Sequence, residues 1–119
     1  MAENKIHELV KAVFSELEEK KAEDVTVLDI AQVSTIADYF NIATGANARH
    51  LDAMRDTVEE VIEKNGGEIR QIEGKGVSGW ILIDCRDFVI HLFDASNRTF
   101  YDLARIWKDA PLIDPLTLD

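Results

Sequence analysis

The stretch Trp80-Ile81-Leu82-Ile83-Asp84-Cys85-Arg86-Asp87-Phe88-Val89-Ile90-His91-Leu92-Phe93 decides the architecture. Two apolar runs flank the pair Cys85-Arg86, short enough for a two-residue hairpin turn. With such a turn Asp84 opposes Asp87, Leu82 opposes Val89 and Trp80 opposes His91. Strand side chains alternate, so Trp80, Leu82, Val89, His91 and Phe93 share one face while Ile81, Ile83, Phe88, Ile90 and Leu92 share the other. The second set is purely apolar and is expected to form a core beneath helices. The first set, which carries an indole and an imidazole, is the face expected to meet something else.

Upstream of the hairpin, Gly74-Lys75-Gly76-Val77-Ser78-Gly79 places three glycines in six residues and reads as a loop of adaptable backbone. Glu68 to Glu73 alternates as a further strand. Before it, Asn47 caps a helix in which Leu51, Met54, Val58, Val61 and Ile62 recur at helical spacing until Asn65-Gly66-Gly67 stops the run. Its opposite side is mostly acidic, as a solvated face would be. Asp38 to Thr44 is a strand with Phe40 and Ile42 on one side and Tyr39, Asn41 and Ala43 on the other. Asp24 to Ile30, rich in β-branched residues, is another. The first helix carries Ile6, Leu9, Val10, Val13, Phe14 and Leu17 on one stripe, with Lys20 and Lys21 placed in its last turn against the macrodipole.

Downstream, Ser96 or Asn97 caps a third helix whose stripe is Phe100, Leu103, Ala104 and Trp107, ended by Pro111. The element order is therefore helix, strand, strand, helix, three strands, helix. It predicts an α/β (α+β mixed) single domain over residues 1–110: a mixed sheet of about five strands with helices mainly on one face. Residues 111–119 read as a short extended or mobile tail.

The chain has 119 residues, 46% of them hydrophobic, enough for one compact domain. Its 23 acidic and 13 basic residues give a net charge of -10. Such a molecule repels polyphosphate and anionic lipid, which argues against RNA or a membrane surface as primary partner, and it attracts a basic protein surface. The single Cys85 forbids an internal disulfide and fits a reducing compartment. Met1-Ala2-Glu3-Asn4-Lys5 lacks an apolar signal core and no stretch reaches the ~20 apolar residues of a membrane span, so the expected location is cytoplasmic.

No residue pattern points to catalysis, a metal or a cofactor. His7, His50 and His91 fall in a helix, a helix start and a strand, without a nucleophile partner, and neither His-x-x-x-His nor paired cysteines occur. Gly74-Lys75-Gly76 lacks the spacer and the following Ser or Thr of a phosphate loop. Asp84 and Asp87, facing each other across the expected turn, are the nearest approach to a cation-holding pair, and they keep a nucleotide-handling enzyme as the alternative reading. Asp38, at the mouth of its strand, reads as a cap or a partner contact.

Taken in order, Ser34-Thr35-Ile36-Ala37-Asp38-Tyr39-Phe40, Ala43-Thr44-Gly45, Arg49-His50, Glu73-Gly74, Gly79-Trp80, the hairpin with His91, and Arg98-Thr99-Phe100-Tyr101-Asp102-Leu103 to Trp107 resemble the ribosomal silencing factor family, also called the Iojap family. The resemblance spans nearly the whole chain. It implies a nucleotidyltransferase-like fold without transferase activity, and docking on ribosomal protein fourteen of the large subunit. Docked there, such a factor blocks association with the small subunit and lowers translation when nutrients are scarce. Carried onto this sequence, the contact roles fall to Trp80 as aromatic anchor, to Tyr101 and His91 near it, and to Lys75 and Arg98 as rim charges. A homodimer pairing through the unfilled apolar face is a further alternative. One departure stands out: Arg86 occupies a turn position where the family commonly has glycine.

Overall fold

Both long helices form where the apolar spacing places them, and both end in a left-handed residue. The computed structural model describes residues 3–33, 35, 37–94 and 110–115. Helix α1 spans Glu3–Glu19, so Lys20 and Lys21 lie beyond its last turn. They close it instead: Lys21 takes φ 64, and the Ala22 N–H donates to the Leu17 carbonyl at 3.0 Å, the six-to-one bond of a Schellman cap. Helix α2 spans Ala48–Lys64, with the Asn47 side chain accepting from the His50 N–H. Gly66 at φ 79 and the Gly67 N–H bonded to the Ile62 carbonyl at 2.8 Å close it in the same way.

Six strands build one sheet: β1 (Glu23–Asp29), β2 (Tyr39–Gly45), β3 (Gln71–Lys75), β4 (Trp80–Asp84), β5 (Phe88–Asp94) and β6 (Leu112–Ile113), in the order β3-β4-β5-β2-β1-β6. The sixth falls in the stretch read from sequence as an extended tail, and it pairs antiparallel with Val27 and Leu28. All neighbours are antiparallel except β2 and β5, which run parallel from Tyr39 opposite Phe88 to Gly45 opposite Asp94. A parallel pair needs a long crossover, and here the crossover includes α2. β3 begins at Gln71, three residues later than the alternation suggested: residues 68–69 lead out of the α2 cap, and contact with β4 starts where the Arg70 N–H donates to the Asp84 carbonyl at 2.8 Å.

The hairpin register differs from expectation. Asp84 pairs with Val89, Leu82 with His91 and Trp80 with Phe93, each two residues along from the tight-turn register. The cause is the turn: Cys85 N–H donates to the Phe88 carbonyl at 3.0 Å, and the Asp87 N–H folds back to the Cys85 carbonyl at 2.9 Å around Arg86 at φ 73. An i to i+2 bond around a positive φ is a γ-type turn, a strained geometry for any residue with a Cβ. A slip of two preserves the parity of the strands, so the division into faces survives it.

On the helix side, Ile81, Ile83, Phe88, Ile90 and Leu92 pack with the stripes of α1 and α2 in one buried cluster. The other side departs from the open face expected. Leu28, Ile30, Ala37, Phe40, Ile42, Val89, Phe93 and Ala110 form a second buried cluster, with Trp80 and Leu82 only partly buried at its border. Most of that face is interior; its accessible part is the Trp80–Leu82 end.

Candidate protein-docking site

Trp80 begins β4 immediately after Gly79, whose φ of 78 turns the chain into the strand. Its neighbours in the sheet are Lys75 on β3 and Phe93 on β5. The indole is half-buried and lies within 5° of the His91 ring plane at 6.2 Å and within 7° of Phe93 at 6.3 Å. Phe40 meets His91 edge-on at 4.6 Å. Three parallel rings thus make a stiff shelf whose outer member is the indole.

His91 itself is 3% exposed, which sets it behind the indole and not at the surface. An indole N–H can only donate, so the 3.3 Å bond from Trp80 Nε1 makes His91 Nδ1 an acceptor and places the ring proton on Nε2. Burial disfavours the imidazolium and pulls the His91 pKa from 6.5 down to about 4. Nε2 has no hydrogen-bond partner among the described residues.

The pairing of β3 with β4 puts Gln71, Glu73 and Lys75 on the same face as Asp84, Leu82 and Trp80. All three are exposed, and they rim the partly buried Trp80 and Leu82. An apolar centre inside a polar rim is the anatomy of a protein interface. Sequence reasoning named Trp80 and Lys75 and put Leu82 on the Trp80 face, but missed Gln71 and Glu73. Their signal was alternation on β3, which shows its face only once the partner strand is known.

The glycine-rich segment is locked, contrary to the adaptable loop expected. Gly74 holds φ 86, and a Cβ there would sit 2.1 Å from the Trp80 carbonyl oxygen. A Cβ on Gly76 would sit 2.1 Å from the Ala48 carbonyl oxygen. The Gly76 N–H donates to Asp52 Oδ1 at 2.8 Å, opening a 3-10 turn over Gly76–Ser78. Ser78 Oγ accepts from the Lys75 N–H at 3.1 Å and donates to the Lys75 carbonyl at 2.7 Å. These glycines serve close backbone packing against α2 and β4.

Asp38 is exposed and its backbone bridges two segments: its N–H donates to the Asp87 carbonyl and its carbonyl accepts from Ile30, both at 2.9 Å. It precedes Tyr39, which pairs with Phe88, whereas Trp80 pairs with Phe93. Five residues of strand separate the two rows, about 17 Å. The structure therefore brings together Trp80, His91 and Lys75 and leaves Asp38 at the far end of the sheet. Tyr101, Arg98 and the expected third helix lie outside the described residues.

The suggested Asp84 and Asp87 pair does not form. Asp84 Oδ1 accepts from the Arg86 N–H at 2.8 Å and Oδ2 from the Arg70 guanidinium at 2.5 Å, so both oxygens brace the turn. Among the described residues no three His, Cys, Asp or Glu side chains gather as metal ligands would. Cys85 is buried, and burial followed by the Asp84 charge pushes its thiol up to about 12, which makes it a poor nucleophile. His50 uses both nitrogens on backbone: Nδ1 accepts from Ala46 N–H and Nε2 donates to the Lys20 carbonyl, each at 2.9 Å, tying the start of α2 to the end of α1. No helix among the described residues is long and apolar enough to cross a membrane.

The family model described as "Ribosomal silencing factor during starvation" matches residues 3–119. A ribosomal silencing factor from Halalkalibacterium halodurans is 35% identical over 107 residues, covering 90% of this chain and 92% of that one. The mouse protein named mitochondrial assembly of ribosomal large subunit protein 1 is 29% identical over 101 residues, 82% of this chain but 44% of the mouse one. A crystal structure of a Bacillus halodurans protein superposes with a TM-score of 0.79 at 31% identity, covering 90% of this chain and 97% of that one. Sequence and fold agree over almost the full length, and the chain belongs to the ribosomal silencing factor family.

Proposed function

We propose that this chain is a cytoplasmic, non-enzymatic repressor of translation that docks through its Trp80 corner onto a basic protein of the large ribosomal subunit and keeps the small subunit from joining. The observation that carries the reading is the shelf itself: a half-buried indole, stacked on a buried histidine and rimmed by Gln71, Glu73 and Lys75, on a molecule of net charge -10. Ribosomal protein fourteen, which the family resemblance implies, is the proposed receptor. The name of the mouse relative, which refers to the large subunit, supports that choice of subunit.

In this reading Trp80 is the anchor, His91 holds its plane from behind, and Lys75 is a rim charge. Tyr101 and Arg98 are proposed as further contacts, while Asp38, at the other end of the sheet, belongs at most to the periphery. The mechanism is occupancy: a folded domain held on the joining face excludes the other subunit without a cofactor, a metal or a bond made or broken.

Co-sedimentation with purified large subunits tests it. The wild-type chain pellets with them and lowers the yield of joined ribosomes when small subunits are added; Trp80→Ala binds more weakly by ~2 kcal/mol, as loss of an aromatic anchor does. Equal pelleting of both forms would remove Trp80 from the interface. Undiminished subunit joining with the factor bound would remove the steric mechanism.

A further inference from the structure

Among the described residues Val77 is the most exposed large hydrophobic side chain, at 83%. Its exposure is not that of a loose loop. The backbone on either side is held by the Asp52 carboxylate on the Gly76 N–H, by Ser78 Oγ on both backbone groups of Lys75, and by the Gly79 N–H on the Gly76 carbonyl at 3.0 Å. Gly76 is buried and packs so closely on the first turn of α2 that no side chain fits there. Helix α2 thus holds up a stiff 3-10 turn with a β-branched apolar residue at its centre.

Exposing a valine at a preformed turn gains nothing for the isolated fold, since its methyl groups stay in water. Presented to a partner, it gives apolar area from a segment that has already lost its backbone freedom, which is how preorganised contacts gain affinity. The turn lies between Lys75 and Trp80 in the chain, at the same corner of the sheet as the indole.

We propose that Val77 is a second apolar anchor of the docking surface, received by an apolar pocket on the same basic large-subunit protein, and that Asp52 is the positioning residue that holds it there. This rests on the docking reading above and adds to it a residue and a supporting carboxylate. The contact then has two points, the flat indole and the projecting valine three residues before it, joined by a hydrogen-bonded turn, so it selects a partner with a matched ledge and pocket.

The test is co-sedimentation of the full chain with purified large subunits, beside thermal unfolding and amide exchange. Val77→Ala is expected to weaken binding roughly tenfold, the loss of two buried methyl groups, and Val77→Asp more than that. Neither should lower the melting temperature, because the side chain is in water in the free protein. Asp52→Ala is expected to speed exchange of the Gly76 amide and weaken binding, while Asp52→Asn, which keeps an acceptor oxygen, restores both. Wild-type binding by Val77→Ala and Val77→Asp would overturn the anchor while leaving the Trp80 reading in place. Unchanged binding by Asp52→Ala despite faster Gly76 exchange would overturn the positioning role. Failure of the wild-type chain to pellet at all would overturn the docking reading and this inference with it.

Discussion

Lowering the pH from 7 to 5 should weaken this fold through one residue, and the size follows from the burial of His91. In the folded chain its pKa is held near 4, against 6.5 when unfolded, by burial among Trp80, Phe40 and Phe93. Between those values the unfolded state binds a proton that the native state refuses, so stability is fully present above about 6.5 and falls as pH drops toward 4. Integrating between the two pKa values, the contribution lost from pH 7 to pH 5 is about 2 kcal/mol. The geometry gives the same sign, because protonating Nδ1 would turn the acceptor of the Trp80 N–H into a second donor. Urea unfolding at both pH values, for the wild type and for His91→Phe, isolates the contribution of the imidazole. The phenyl variant keeps a ring in the stack and cannot titrate, so its stability should change less over the same interval by about 2 kcal/mol. With Trp107, the other tryptophan, replaced by phenylalanine, fluorescence reports whether the Trp80 indole keeps its environment. If both proteins lost stability in parallel, the buried neutral imidazole would be refuted and the acid sensitivity would have to come from carboxylates.

Replacing Arg86 by glycine should stabilise the protein. Relief of a Cβ at φ 73, worth about 1–2 kcal/mol, outweighs the extra unfolded-state freedom of glycine, for a net gain of about 1 kcal/mol and a rise of roughly 3–5 °C in melting temperature. A lower melting temperature would show the exposed Arg86 side chain to matter more than its backbone. Gly76→Ala should cost upwards of ~2 kcal/mol, because its Cβ lands on the Ala48 carbonyl and the turn must leave α2. Calorimetry checks the loss; an unaltered transition would mean that the turn is free to move, which also contradicts the rigidity assigned to Val77.

Periodicity alone determined the two long helices and the faces of the central hairpin. Apolar spacing placed α1 and α2, and alternation in β4 and β5 sorted Ile81, Ile83, Phe88, Ile90 and Leu92 from Trp80, Leu82, Val89, His91 and Phe93, a partition that outlasted a two-residue error in register because strand faces repeat every second residue. Composition and charge, which need no coordinates, directed attention to a basic protein partner. The rest was decided by contacts between residues distant in the chain. The parallel pairing of β2 with β5 joins segments more than forty residues apart, and the Leu112–Ile113 strand finds β1 only in the folded state. Gly74 and Gly76 look like free joints until Trp80 and Ala48 are seen against them. His91 reads from sequence as an exposed contact, yet Phe40 from β2 and Trp80 and Phe93 from the hairpin enclose it. Local pattern reports which way a side chain points along its own strand; what lies in that direction depends on which strands become neighbours, and that is settled by burial summed over the whole sheet.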